Sequence, residues 1–149
     1  MKNISIIALC LAGIFCFGCV PVVGEKVEYS KAFDKTSDDK TIEVKGFLDD
    51  GGGLFCSNTS GRMECGFKFK KDLKQEDRGF SADIATGGGA NSMDQVESGY
   101  QKSDIVVRDN DGNKVDLTRE VTVTGKQNVS NDPVSNDLVC YMKVYKVEQ

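Results

Sequence analysis

From Thr41 onward apolar and polar residues alternate with a period of two, the spacing that turns one face of a strand to a core and the other to solvent. "TIEVKGFL" sets Ile42, Val44, Gly46 and Leu48 on one face and Glu43 and Lys45 on the other, and the "DDGGG" that follows supplies turn residues tolerant of positive φ. "LFCSNTSGRMECGFKFKK" reads as a hairpin. With Ser60 and Gly61 as a two-residue turn, Cys56 lies opposite Cys65 and Leu54 opposite Phe67, so thiols meet and apolar residues meet. A three-residue turn would set Cys56 against Glu64 and bury a carboxylate, so the first register is expected. It makes Cys56 and Cys65 a non-hydrogen-bonded pair, with Cα atoms about 4.5 Å apart and within reach of a disulfide.

The alternation lapses over residues 71–103, which are polar and glycine-rich and read as a long irregular connection. Within it Ser92 and Gln95 have capping-box spacing and Gly99 is a C-cap candidate, so a short helix is expected from Met93 to Ser98, docking Met93, Val96 and Tyr100. "DIVVRDNDGNKVDL" is a second hairpin. A three-residue loop of Asn110, Asp111 and Gly112 sets Val107 opposite Val115 and Ile105 opposite Leu117, with Gly112 left-handed in a bulge. "EVTVTGK" continues with Val121 and Val123 inward, "QNVSNDPVSND" reads as a polar loop, and "LVCYMKVYKVE" is a final strand. That strand has Leu138, Cys140, Met142 and Val144 on one side and Tyr141 and Tyr145 on the other.

Before all this, Lys2 precedes "ISIIALCLAGIFCF", a run too short to span a bilayer and apolar on every side, as in a secretory signal peptide. The "CFGC" at its end resembles the lipobox of bacterial lipoproteins, where a small residue precedes a cysteine that is diacylated and becomes the first residue after cleavage. Gly18 and Cys19 carry the resemblance, while Cys16 and Phe17 depart from it. It implies a leader over residues 1–18, lipidation at Cys19, and a lipid-anchored protein of the bacterial cell envelope facing the periplasm or the exterior. Residues 19–40 then read as a lipidated tether with one or two helical turns around Glu28 to Phe33, and residues 41–149 as one β domain. Ordinary cleavage to a soluble secreted product is the alternative.

Short alternating strands with one helix near the middle argue for a mainly β fold, either a small barrel or a strongly curved antiparallel sheet. The order of strands around the irregular segment resembles that of an OB fold. "KTIEVKGFL", "SDIVVRDNDGNKVDL" and "EVTVTGK", with their V-x-G patterns and glycine turn, resemble the OB-like, tRNA-anticodon-binding-like domains of small bacterial lipoproteins. That resemblance implies a fold rather than an activity. A β-sandwich is the second architecture.

Chemistry is sparse. The chain has 149 residues and no histidine, so the usual proton shuttle is missing, and Asp49 with Asp50 sits in a turn where solvent holds ordinary acidities. No enzymatic activity and no cofactor is expected. "DNDGN" at 109–113 resembles a calcium loop, but its glycine stands fourth rather than sixth and a hairpin turn accounts for the same residues, so no metal is expected. With Cys10 and Cys16 in the leader and Cys19 acylated, Cys56 and Cys65 form the disulfide and Cys140 is a buried thiol; without acylation a Cys19–Cys140 bond is the alternative. The formal net charge of −4 and the export signal disfavour nucleic acid.

Phe47, Tyr141 and Tyr145 fall opposite the expected core and form a candidate binding surface. The expected function is thus that of a non-enzymatic envelope lipoprotein, held to the membrane by its lipid, whose domain binds a protein, peptide or glycan. The alternative is a secreted small-ligand or metal-binding module that uses the 71–103 segment as a lid.

Overall fold

The computed structural model describes residues 21–59, 61–74 and 79–149. Its strands are β1 (Glu25–Lys26), β2 (Thr41–Asp49), β3 (Phe55–Thr59), β4 (Arg62–Lys70), β5 (Phe80–Ala85), β6 (Val121–Asn131) and β7 (Leu138–Glu148). They form one seven-stranded sheet in the order β1-β2-β6-β7-β5-β4-β3, and a further pairing of β2 with β4 closes β2, β6, β7, β5 and β4 into a ring. Ring neighbours are antiparallel except β5 and β7, which are parallel. The fold is therefore mainly β and OB-like, and a sandwich, which needs two sheets, is ruled out.

Closing the ring asks one strand to serve two neighbours. β2 pairs with β6 from Thr41 to Gly46 and with β4 from Phe47 to Asp49, so the exchange falls at Gly46. A Cβ at Gly46 would stand 2.5 Å from the Lys70 carbonyl oxygen and 2.7 Å from the Phe69 ring, so only a glycine lets the strands come this close. Across the ring, the β6–β7 ladder shifts register between Thr124 and Gly125, where a Cβ would overlap the Lys143 carbonyl oxygen. Inward positions of all five ring strands meet in one core that includes Ile42, Val44, Leu48, Phe67, Phe69, Ala82, Ile84, Val123 and Met142. Each such large side chain contributes about 1.5–3 kcal/mol by leaving water.

Each end of the ring is stoppered by irregular chain. At one end, the segment before β2 crosses the opening as 3-10 turns at Tyr29–Phe33 and Lys35–Ser37. Tyr29 stacks on Phe69 and Phe80 with ring centroids 6.3 and 6.1 Å away, and Ala32 is fully buried. Gln127, inside the ring, donates from Nε2 to the Ala32 carbonyl at 2.7 Å, and the Val129 amide donates to Asp38 Oδ1 at 2.8 Å. The expected helical turns near residue 30 exist as 3-10 turns. Within the span read as a tether, Glu25 and Lys26 add to β2 in parallel, Gly24 lies against Ile42 and Thr124, and Ala32 and Ser37 are buried.

The other end is closed by residues 86–120, and here the sequence reading needs correction. No helix runs from Met93 to Ser98. Met93 is extended, bridging Thr86 and Val107, and the Ser92 hydroxyl donates to the Gly87 and Gly89 carbonyls instead of capping a helix. Glycine-rich sequence on one side and pairing partners on both sides outweigh the capping pattern. Gly99 does take a positive φ, but in a turn. Nor is 71–103 one loop, because "FSADIA" within it is β5, with Phe80, Ala82 and Ile84 inward. A lid made of that whole segment is thereby excluded. "QNVSN" is likewise strand rather than loop, since β6 runs on to Asn131 and buries Gln127 and Val129.

Both hairpin registers agree with the sequence. Cys56 pairs with Cys65 and Thr59 with Arg62; Ser60 of the turn lies outside the described residues. The Val115 amide donates to the Val107 carbonyl, and Gly112 has φ +83°. If the Gly46 corner closes the ring, Gly46→Ala lowers the unfolding free energy by roughly 2–3 kcal/mol in urea titration, as expected of a methyl forced against packed backbone. A loss under 0.5 kcal/mol would mean that β2 and β4 separate without consequence.

Candidate functional site

The outward side of the sheet over β3, β4, β5 and β7 carries one row of aligned positions. Phe55 lies opposite Gly66, Gly66 opposite Asp83, and Asp83 opposite Lys143. Strands lie about 4.8 Å apart, so Phe55 and Asp83 are separated by roughly 10 Å, with a bare glycine between them. The next row runs from Lys68 through Ser81 to Tyr141. Over the Gly66, Lys68 and Ser81 positions of these rows lies a hollow of 370 Å³ walled by Asp50, Gly51, Gly53 and Phe55 on one side and Leu138–Cys140 on the other. Its rim is apolar and uncovered: Phe55 is 80% exposed, Leu138 54% and Val139 44%. Such residues in a cluster differ from the scattered exposed apolar side chains of any surface.

The glycine is required by what stands beside it. A Cβ on Gly66 would lie 2.7 Å from Ser81 Oγ and 3.0 Å from Asp83 Oδ1. Ser81 Oγ donates to Asp83 Oδ1 at 2.7 Å, and Glu64, buried on β4, pairs with Lys143 Nζ at 2.7 Å. Burial pushes the Asp83 carboxyl above its ordinary value; the Ser81 hydrogen bond opposes this, the neighbouring Glu64 charge adds to it, and Lys143 opposes it weakly. Lys143 is committed to Glu64, and among the described residues Asp83 forms no ion pair.

The disulfide Cys56–Cys65, with Cα atoms 4.0 Å apart, clamps β3 to β4 and so fixes where Phe55 stands. Cys140 is a buried free thiol beneath the hollow; burial raises its pKa and the nearby Lys35 charge opposes the rise. Cys19 and the leader lie outside the described residues.

Of the aromatic residues singled out from sequence, Tyr141 stands in the second row and Tyr145 further along the same strand. Phe47 is not with them. It lies on β2, which is not a neighbour of β7, and lines a separate hollow of 490 Å³ with Lys71, Asp72, Leu73, Lys74 and Thr118. Phe55, Gly66, Ser81, Asp83 and Val139 were missed. Phe55 and Val139 were legible as outward positions on strands, whereas Ser81 and Asp83 were hidden by reading β5 as loop.

Two carboxylate groups also prove to be different from their sequence reading. Asp49 and Asp50 are not left to solvent: Asp49 pairs with Lys70 Nζ at 2.6 Å and Lys102 at 3.4 Å, and Asp50 with Lys102 at 3.0 Å. Burial alone would raise the Asp49 carboxyl, but Lys70 and then Lys102 outweigh it and hold it below the ordinary value. Asp109 acts as the internal acceptor of its hairpin turn, taking the Asp111 and Asn113 amides at 2.9 and 2.8 Å.

No family model matches the chain. No curated protein matches it in sequence. Among solved structures it is similar to a "putative aspartyl-tRNA synthetase" from Leishmania major Friedlin, at 13% identity and a TM-score of 0.38, over 88% of this chain. The chain spans 21% of that protein's length, and a likeness of this degree carries neither fold nor function.

The raised Asp83 carboxyl makes a signed prediction. Its contribution to stability is fully present below the ordinary aspartate value of 3.8 and is lost as pH rises through the higher folded value. Asp83→Asn, which cannot ionise beside Glu64, Lys143 and Ser81, therefore melts above the wild type at pH 7, and the two converge as pH falls towards 3.8. Calorimetry at a series of pH values measures this; a variant that melts lower at neutral pH would show that the charge of Asp83 holds the sheet together.

Proposed function

We propose that the chain is a non-enzymatic lipoprotein of a bacterial cell envelope, anchored at Cys19, whose OB-like domain binds a protein or peptide partner on the outer face of β4 and β5. The observation that carries this reading is the uncovered apolar rim of Phe55, Leu138 and Val139 around a hollow. In chain order β4 and β5 are the second and third strands of the ring. OB folds commonly meet ligands on that face, between the connection after the first strand and the one before the fifth. The hollow is walled by Asp50, Gly51 and Gly53 of the first connection, by Phe55, and by Leu138–Cys140, which open the fifth ring strand directly after the second connection. This part of the argument is an analogy of folds.

Acidity bears on the choice of partner. Asp50, Glu64 and Asp83 border the face, and the formal net charge is −4, so a polyanionic backbone is a poor fit. The absence of histidine from the sequence and the pairing of Asp49, Asp50 and Glu64 with lysines support a binding role over catalysis.

The anchor and the face are tested separately. In cells fed labelled palmitate, Cys19→Ala loses the label and leaves the membrane fraction; label retained in the variant contradicts the anchor. For the face, heptapeptides selected from a displayed random library on the purified full chain bind the Phe55→Ser, Val139→Lys double variant at least tenfold more weakly, with the unfolding midpoint unchanged because both positions are exposed. Selected peptides indifferent to the double substitution would place binding elsewhere.

A further inference from the structure

The chain enters the barrel at one fixed place. Gly24 lies so close to β2 that a Cβ would stand 2.7 Å from the Ile42 carbonyl carbon and 2.8 Å from the Thr124 methyl group. Thr124 pairs with Glu43, which alternates with the inward Ile42 and Val44, so Gly24 covers the outer side of β2 and β6. In a ring of five strands the one opposite the β2–β6 pair is β5, and the 370 Å³ hollow lies over β5 and its neighbours β4 and β7. Entry point and hollow are therefore on opposite sides of the barrel. Resting on the reading of Cys19 as the lipidated residue, we propose that the outer side of β2 and β6 lies against the anchoring bilayer. The β4–β5 face is then turned away from it, towards a polypeptide of the aqueous space.

The reach of the chain decides the orientation. Cys19 and Val20 lie outside the described residues, but whatever their conformation, the five residue steps from Cys19 to Gly24 span at most about 18 Å. Opposed walls of sheet stand about 10 Å apart, and the side chains outside them bring the barrel to about 20 Å across. With the β4–β5 face on the bilayer, the chain leading to Gly24 would have to run round half of that body, about 30 Å. It is too short to do so. The apolar rim of Phe55, Leu138 and Val139 therefore cannot dip into the membrane that holds the lipid, and its occupant is a polypeptide rather than a lipid surface.

The side at the entry point suits a layer of headgroups. Val22 and Val23, 44% and 79% exposed, follow Val20 and Pro21 with no charge among the four, so the residues between lipid and barrel meet the interface without burying a charge. Around them Lys26, Lys40 and Lys126 pair with Glu43, Glu25 and Asp39 at 3.6, 3.9 and 2.6 Å, and Lys45 is exposed on β2. These charges nearly cancel. The formal net charge of −4 is thus carried elsewhere and does not push this side away from an anionic membrane.

The test places a fluorescent amino acid at position 45, exposed on β2 two residues from Glu43, or at position 139 on the rim of the hollow. The full chain is purified from membranes, its acyl groups are checked by mass spectrometry, and it is reconstituted in phosphatidylcholine nanodiscs in which some headgroups carry a nitroxide quencher. Quenching is expected to be at least about threefold stronger at position 45, because the two positions differ by about 20 Å in distance from the headgroups. A ten-residue Gly-Ser spacer between Val22 and Val23 adds about 35 Å of reach and is expected to remove the difference. Equal quenching in the acylated chain without the spacer, or stronger quenching at position 139, overturns the orientation while the anchor stands. A difference that survives the spacer overturns the short reach as its cause. A membrane-purified chain that carries no acyl mass removes the anchor itself, and the orientation falls with it.

Discussion

At Gly46 the second strand leaves β6 and joins β4, with a carbonyl oxygen 2.5 Å from the place where any other residue would carry a Cβ. That single close approach converts a row of strands into a ring. The core behind it is continuous because β2 brings Ile42 and Val44 to the β6 side and Leu48 to the β4 side. Without closure Phe47–Asp49 of β2 and Lys68–Lys70 of β4 would lose their pairing partners, and β4, β5 and β7 would lose the curvature that backs the outer hollow. The two stoppers, the 3-10 turns with Tyr29 and Ala32 and the irregular span with Met93 and Val107, bury side chains that only a closed ring supplies with partners.

The outer face follows from the same geometry. Ring closure places β4 and β5 side by side and sets β7 parallel to β5, aligning Gly66, Asp83 and Lys143 in a row. The disulfide adds β3 to that row and with it the exposed Phe55. Packing alone explains none of the rim, since Phe55, Leu138 and Val139 contribute little to the core they border. Ser81 and Asp83 stand close enough to forbid a Cβ on Gly66, and the cost of half-burying the Asp83 charge is borne beside the hollow rather than in the interior. A fold that holds such a cost at a surface is biased towards whatever relieves it.

Much of this fold was legible in the sequence, because strict alternation over Thr41–Leu48 and the choice between two hairpin registers are decided by which residues must meet. What was hidden has physical causes. β5 is short and carries Ser81, Ala82 and Asp83 between its apolar ends, so its pattern is diluted by the glycines and charges around it; parallel pairing with a strand some sixty residues on leaves no local signal. The Ser92 pattern has two physical outcomes, a helix cap or a turn clamp, and the neighbours of Met93 choose the second. The candidate site was legible in part. Tyr141 was correctly read as outward, but grouping it with Phe47 needed a ring order that one sequence does not state. Phe55, placed by the disulfide that the register predicted, was within reach of the same reasoning.

The claim that joins fold to function is that this protein meets its partner over β4 and β5 rather than across the ring at β2. Photo-crosslinking in the cells that make it tests this directly, with a benzophenone amino acid at position 139 on one side and at position 45, exposed on β2, on the other. Adducts that form at position 139, disappear when Phe55→Ser is added, and are missing at position 45 agree with the account. Adducts at position 45 with none at position 139 contradict it.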